Sequence, residues 1–216
     1  MKFPAFVALA LIGLARAQDD DPANFVPQVA RAVAGEGNDA FAKGDYEAAR
    51  HAYQKVLDIA PGNLVALVNL GLVEFRSGNA KEAEKLLKQA VRQRLETGSA
   101  WLTLGMIYFN QDQLEEAFAA LSQAVLYDKS NPRAHNYLGV VLGRKGWLDG
   151  AEAELRRAVE IDPGYRDAHY NLALIYLQQH PAAVELARRH YFKSIELGGK
   201  ADPEIEKSLA TPTPTP

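Results

Sequence analysis

Small residues recur along the chain at a fixed step of 34 residues. Glycines stand at Gly37, Gly71, Gly105 and Gly139, and Ala173 completes the column. Alanines keep the same step at Ala32, Ala66, Ala100, Ala134 and Ala168, and again at Ala49, Ala83, Ala117 and Ala151. Leucines follow at Leu70, Leu104, Leu138 and Leu172. Several independent columns with one period define a repeat array, because each unit is too small to bury its own apolar surface and must stack on a neighbour.

Within each unit the apolar spacing is helical. Trp101, Leu104, Gly105 and Tyr108 fall at i, i+3, i+4 and i+7, and Leu67, Leu70 and Gly71 repeat the face with Glu74 as an off-pattern member. A turn follows at Gly44-Asp45, Ser77-Gly78-Asn79, Gln111-Asp112 and Lys145-Gly146. A second helix then runs through Ala49, Tyr53, Val56 and Leu57 and their counterparts, and Pro61 and Pro163 close two of the units. Each unit therefore reads as helix, turn, helix. Small residues on facing helices let two backbones approach closely, and Leu70, Leu87, Leu104 and Leu121 fill the seam.

These residues resemble the tetratricopeptide repeat family. The third unit carries Trp101, Leu104, Gly105, Tyr108, Ala117, Leu121 and Ala124 at the family's positions, and the first carries Gly37, Ala49, Tyr53 and Pro61. The resemblance covers Ala30 to Gly199. It implies an all-α, right-handed superhelical solenoid of five helix-turn-helix hairpins, at 30–63, 64–97, 98–131, 132–165 and 166–199, with a short capping helix at 200–210. Asp202-Pro203-Glu204 supplies an N-cap, a first-turn proline and a first-turn acid for that helix, and Ile205 and Leu209 are its apolar face. Residues 211–216 alternate Thr and Pro and are expected to form an extended, disordered tail.

Departures from the family carry their own expectations. Glu36 replaces a leucine, and Gly35 weakens the first helix. Leu95 and Lys129 stand where the family has proline, so more continuous helix is expected at those two junctions. Gln179-His180-Pro181 adds residues to the fifth unit and displaces its second helix by two positions, so that Ala187 takes the role of Ala151 and Tyr191 that of Leu155.

The resemblance places ligands on the concave face of each first helix. In this chain that face holds Asn38, then Val68, Asn69, Leu72, Phe75 and Arg76, then Leu102, Thr103, Met106 and Phe109. It continues with Asn136, Tyr137, Val140 and Arg144, and with Tyr170, Asn171 and Leu174. Asparagine amides both donate and accept, which suits an extended peptide backbone, and the apolar members suit hydrophobic anchors. Some family members clamp a carboxylate with cations, but Ala34, Ser99 and Thr103 occupy the cationic positions, so that clamp is not expected. Trp147 stands in a turn column otherwise held by Asp45, Asn79 and Gln113 and is a second contact candidate.

No catalytic constellation emerges. Gly35-Glu36-Gly37 with Ala40 copies part of a dinucleotide fingerprint but follows no strand. His135 and His169 share the Leu67/Trp101 column and read as packed core histidines; as a metal pair they lack further ligands. Asp19-Asp20-Asp21 reads as a solvated acid run. No cofactor and no metal are expected. Cysteine is absent, which excludes disulfides, thiolate sites and a cysteine nucleophile. The net charge of −3 offers no basic excess for a nucleic-acid partner.

The expected function is a non-catalytic scaffold that binds a peptide or protein partner in the groove. The alternative is an accessory subunit of an exported enzyme or envelope assembly, docking through the convex face or the turn edge; a third is a catalyst whose site the motifs do not reveal. Residues 1–17 read as a signal peptide: Lys2 is a basic start, Ala5 to Leu14 is an apolar run too short for the roughly 20 residues of a membrane span, and Ala15-Arg16-Ala17 precedes Gln18. An acidic linker follows at 18–29, and loss of Lys2 and Arg16 leaves 22 basic residues against 27 acidic, a net charge of −5. The chain is thus expected in the periplasm or outside the cell, with no membrane insertion after cleavage. Sequencing of the natively expressed protein is expected to begin at Gln18; a chain that still carries Lys2 would overturn both cleavage and this location.

Overall fold

A computed structural model describes residues 28–210. The expected signal segment and Gln18 cleavage site, most of the expected acidic linker and the expected Thr/Pro tail lie outside the described residues. Eleven α-helices make up the described residues, which hold no strand: α1 (Gln28–Ala42), α2 (Tyr46–Ile59), α3 (Leu64–Arg76), α4 (Ala80–Gln93), α5 (Gly98–Asn110), α6 (Leu114–Tyr127), α7 (Pro132–Arg144), α8 (Leu148–Ile161), α9 (Arg166–Gln178), α10 (Val184–Glu196) and α11 (Pro203–Ala210). The chain divides into two compact units, Met1–Ile107 and Tyr108–Pro216, with the division inside α5.

In the first unit α1 pairs with α2 and α3 with α4, and α2 packs on α3. The small-residue column explains the pairing. A Cβ placed on Gly37 would lie 2.9 Å from the Tyr53 ring, and one on Gly71 would lie 2.8 Å from Leu87 Cγ. Neither distance is tolerable, so only glycine lets the two helices meet there. Ala49, Tyr53, Val56, Leu67, Val73, Ala83, Leu87 and Ala90 are buried around these contacts. Asp45 caps α2 by accepting from the Ala48 amide (3.0 Å), and Asn63 caps α3 by accepting from Ala66 (2.9 Å).

The second unit repeats the scheme with α7 on α8 and α9 on α10, while α6 packs on α7 and α8 on α9. A Cβ on Gly139 would meet Leu155 Cγ at 2.6 Å and the Ala151 carbonyl at 3.1 Å. The displaced second helix behaves as expected: Ala187 and Tyr191 are both fully buried. The capping helix α11 is tied to this unit through Tyr191, whose hydroxyl accepts from the Asp202 amide (2.7 Å) and donates to Glu206 (3.1 Å). Arg188 donates to the Leu209 carbonyl (2.7 Å), and Ile205 and Leu209 are buried. Asp202 caps α11 by accepting from Glu204 (3.0 Å).

The intra-unit turns share one backbone device. Gly44, Gly78 and Gly146 sit at φ +78°, +86° and +77°, and Asp112, the fourth member of that column, sits at φ +62°. Asp tolerates the left-handed region better than bulkier residues, which is how a non-glycine fits here.

One expectation is corrected. The junctions that lack proline are not continuous helix: α4 ends at Gln93 with Arg94 extended, and α6 ends at Tyr127 with Asp128 outside the helical region. In each junction a side chain captures a loop carbonyl that continuous helix would have bonded internally. Trp101 Nε1 donates to the Leu95 carbonyl (2.7 Å), and His135 Nε2 donates to the Lys129 carbonyl (3.1 Å). His169 Nε2 does the same to Pro163 (3.1 Å), so a ring N–H in one column takes the place of the family's proline at two junctions and adds to it at the third.

Gly139→Leu is expected to lower stability by about 1–3 kcal/mol through overpacking against Leu155. A denaturant melt checks it; an unchanged midpoint would show that Gly139 is not at a close contact.

Candidate functional site

The first-helix face of the first unit is mostly closed. Val68, Leu72, Leu102, Thr103 and Met106 are buried, and Thr103 spends its hydroxyl on the Ser99 carbonyl (3.0 Å). Phe75 and Arg76 are half-buried. Asn69 is 2% exposed and hydrogen-bonds the Tyr53 phenol, which in turn donates to Asn38 Oδ1 (2.6 Å). Burial of Tyr53 pushes its phenol up to about 12, against the bond from Asn69, so it remains a neutral donor. The two amides expected to meet a ligand backbone therefore hold α1, α2 and α3 together instead. The physical reason is Tyr53: its hydroxyl enters a buried seam and must be satisfied there.

In the second unit, Asn171 Nδ2 donates to Asn136 Oδ1 (2.9 Å), linking α9 to α7, with Asn136 buried. Tyr170 donates to Asp202 (2.7 Å), so its hydroxyl serves the capping helix. Aromatic and cationic side chains are prominent among those that stay partly exposed on this face. Phe109 and Tyr137 meet edge to face with centroids 6.3 Å apart, and the Arg144 guanidinium lies 5.6 Å from the Phe109 ring. Arg144 is exposed and pairs with Asp112 (2.7 Å), and Val140 and Leu174 are half-buried beside it in sequence register.

Trp147 is the N-cap residue of α8 and is 50% exposed. Its ring packs edge to face on Phe118 (5.4 Å), and Lys145 Nζ lies 4.6 Å from it. Lys145 is also paired with Glu115. The turn column thus presents a built aromatic edge in the second unit.

Three polar assemblies were not foreseen from the sequence. Glu74, the off-pattern acid of its helix, is 5% exposed and is held by Arg50 through Nε (2.5 Å) and Nη2 (3.2 Å) and by Asn79 (2.6 Å), while Arg50 also pairs with Glu47. Burial pushes the Glu74 carboxyl up, but the bonds from Arg50 and Asn79 outweigh it and hold the group below the usual carboxylate range. This network backs an open recess of about 300 Å³ that Gln54, Leu70, Glu82 and Leu86 also line. The other two are His135 with Glu154 (2.6 Å) and His169 with His190 (2.9 Å). Glu74 breaking the apolar face was the nearest sequence signal of the first assembly. The histidine partners lie 19 and 21 residues downstream, a spacing that becomes meaningful once the two-residue insertion is counted. Among the described residues no three of His, Asp and Glu converge as a metal-ligand group.

Successive helical hairpins that pack through small-residue seams define a helical-repeat fold. The chain matches the family model of the Cilia and flagella-associated protein 70 C-terminal domain, a tetratricopeptide model, over residues 5–159, and the TPR repeat model over residues 144–179. It belongs to the tetratricopeptide repeat family. Its fold is the all-α solenoid of that family, a scaffold fold of the kind that typically serves protein–protein interaction.

Solved structures agree on the fold. MamA is 28% identical with a TM-score of 0.63, the match covering 75% of this chain and 94% of that one. YrrB, described as a TPR protein with an unusual peptide-binding site, is 26% identical with a TM-score of 0.61, covering 82% and 89%. MamA from Desulfovibrio magneticus RS-1 is 18% identical with a TM-score of 0.66, covering 80% and 97%, and supports the fold alone. No curated protein matches the chain by sequence.

Because the asparagines are structural, Asn69→Ala is expected to cost about 1–3 kcal/mol by leaving the Tyr53 hydroxyl short of a partner. Asn171→Ala, which deprives buried Asn136 of its donor, should also lower the urea midpoint. Unchanged midpoints for both variants would mean that these amides are free for a ligand after all.

Proposed function

We propose that this protein is a non-catalytic scaffold that binds a peptide or protein partner on its first-helix faces. The observation that carries the reading is the partly exposed group of Phe109, Tyr137 and Arg144. Aromatic side chains and arginine are the types that dominate binding energy at protein interfaces, and rings that are already packed lose little freedom on binding. The peptide-binding site named for YrrB supports the same use of the fold. Val140 and Leu174 add apolar surface for a partner's side chains, while Asn38, Asn69, Asn136 and Asn171 shape the face rather than contact the ligand.

The partner is a protein or peptide rather than nucleic acid, in keeping with the net charge of −3. We also propose that the protein works outside the cytoplasm, on the strength of Lys2, the apolar run from Ala5 and Ala15-Arg16-Ala17. Among the described residues no helix is long and apolar enough to cross a membrane.

The exposed Trp147 edge favours a second reading, in which the chain is an accessory subunit of an exported assembly docked through its turns. A paired titration of a partner captured from the native envelope separates the two. Tyr137→Ala and Arg144→Ala are each expected to weaken binding by about 1–3 kcal/mol. The loss at Arg144 should shrink as salt is raised. Trp147→Ala should leave affinity unchanged. The reverse result, with binding lost only at Trp147, would place the partner on the turn edge.

A further inference from the structure

One exchange at equivalent places sets the polar contact of the α7/α8 hairpin apart from that of α9/α10. On α7, His135 donates from Nε2 to the Lys129 carbonyl and faces Glu154 of α8 through Nδ1 at 2.6 Å. On α9, His169 donates from Nε2 to the Pro163 carbonyl, and the acid's place on α10 is taken by His190. The two imidazoles meet Nδ1 to Nδ1 at 2.9 Å, with ring centroids 5.1 Å apart and planes inclined by 28°, and the Tyr176 ring centroid lies 5.7 Å from that of His190.

The hydrogen bonds fix the protons. A carbonyl only accepts, so His169 carries its hydrogen on Nε2 and its neutral Nδ1 is an acceptor; His190 must then donate from Nδ1. The neutral pair has one hydrogen between the rings. An added proton has to go to His190 Nε2, and a further one on His169 Nδ1 sets two N–H donors head to head across 2.9 Å. The surroundings oppose both steps. Arg189 of α10 and Arg156 of α8 act on His190, Arg156 being paired with Glu152 (3.6 Å), and Glu152 also accepts from Tyr176 (3.2 Å) and Gln179 (2.7 Å). Glu206 of α11 is bonded to Tyr191, and Asp167 of α9 is paired with Arg166. No acid stands where Glu154 stands beside His135.

We propose that the α9/α10 hairpin is an acid-opened element: protonation at the His169–His190 pair loosens α10 from α9, while the His135–Glu154 pair keeps α7 on α8 under the same conditions. Burial first, with the positive charges of Arg189 and Arg156 adding to it, brings His190 down to about 4. Its unfolded value is about 6.5, so between those limits the opened hairpin binds one proton more than the closed one. The closed form is therefore fully stable above about 6.5 and weakens as pH falls. His135 has the opposite sign. Burial lowers it, but Glu154 and the Lys129 carbonyl raise it further, so its contribution is full below about 6.5 and is lost as pH rises through the folded value. Because α9 carries Tyr170, Asn171 and Leu174, opening would also remodel the proposed binding face; that consequence rests on the scaffold reading, whereas the opening does not.

Hydrogen exchange on the full chain without a partner tests it, with rates corrected for the intrinsic pH dependence of amide exchange. Between pH 7 and pH 4.5 the opening constant of α9–α10 is expected to rise up to about 100-fold, tenfold per unit for one proton, with no such rise in α7–α8. His190→Glu, which copies the other hairpin, and His190→Asn, which keeps a neutral donor to His169, should both remove the acid response. Unchanged α9–α10 protection in the wild type would overturn the proposal, as would variants that fold at pH 7 yet stay as acid-sensitive as the wild type.

Discussion

Three of the hairpins depend on two helix backbones coming close enough that one residue on the first helix has no side chain. At Gly37, Gly71 and Gly139 an added Cβ would lie 2.9, 2.8 and 2.6 Å from Tyr53, Leu87 and Leu155 respectively. This approach puts the large second-helix side chain directly over the first helix, where it is fully buried in all three cases. The remaining apolar stripe of each hairpin then has to be covered by a neighbouring helix, such as α3 over α2 or α9 over α8. The repeat period is the sequence record of that steric requirement.

The close seam also decides what the polar residues do. Where the seam residue is Leu87 or Leu155, nothing polar enters. Where it is tyrosine, the hydroxyl has to be satisfied, and the two tyrosines solve this differently. Tyr53 is met by Asn38 and Asn69 from the helices around it. Tyr191 is met by Asp202 and Glu206, which brings α11 onto the last hairpin. A ring N–H column at Trp101, His135 and His169 performs a similar service for the loop carbonyls of Leu95, Lys129 and Pro163. Polar groups that look available on a helical wheel are in this way committed to the scaffold, and the exposed recognition chemistry falls to aromatic and arginine side chains.

Charge is handled unevenly along the chain. Glu74 lies deep but is held by Arg50 and Asn79, and His135 has Glu154, so each buried ionisable group has a partner of suitable sign. The exception is buried His169, whose ring faces another histidine, half-buried His190, on which Arg189 and Arg156 act electrostatically. Adding protons to a pair of that kind is unfavourable beside nearby arginines and with no acid to meet it, which makes that hairpin the pH-sensitive one.

The sequence by itself determined the hairpin period, the helix and turn positions, the close-contact glycines and the shifted register of α10, because each is a local steric or periodic constraint repeated along the chain. It could not determine which polar residues were spent internally. Asn69 and Asn171 lie on the expected face by helical periodicity, yet whether an amide is free depends on what the neighbouring helix brings within 3 Å or so of it. Likewise, Leu95 and Lys129 pointed to unbroken helix only because a missing proline is visible in sequence and a ring N–H six residues later is not read as its substitute. The pairings of Arg50 with Glu74 and of His169 with His190 span 24 and 21 residues and exist only once helices are packed, so tertiary structure alone decided them.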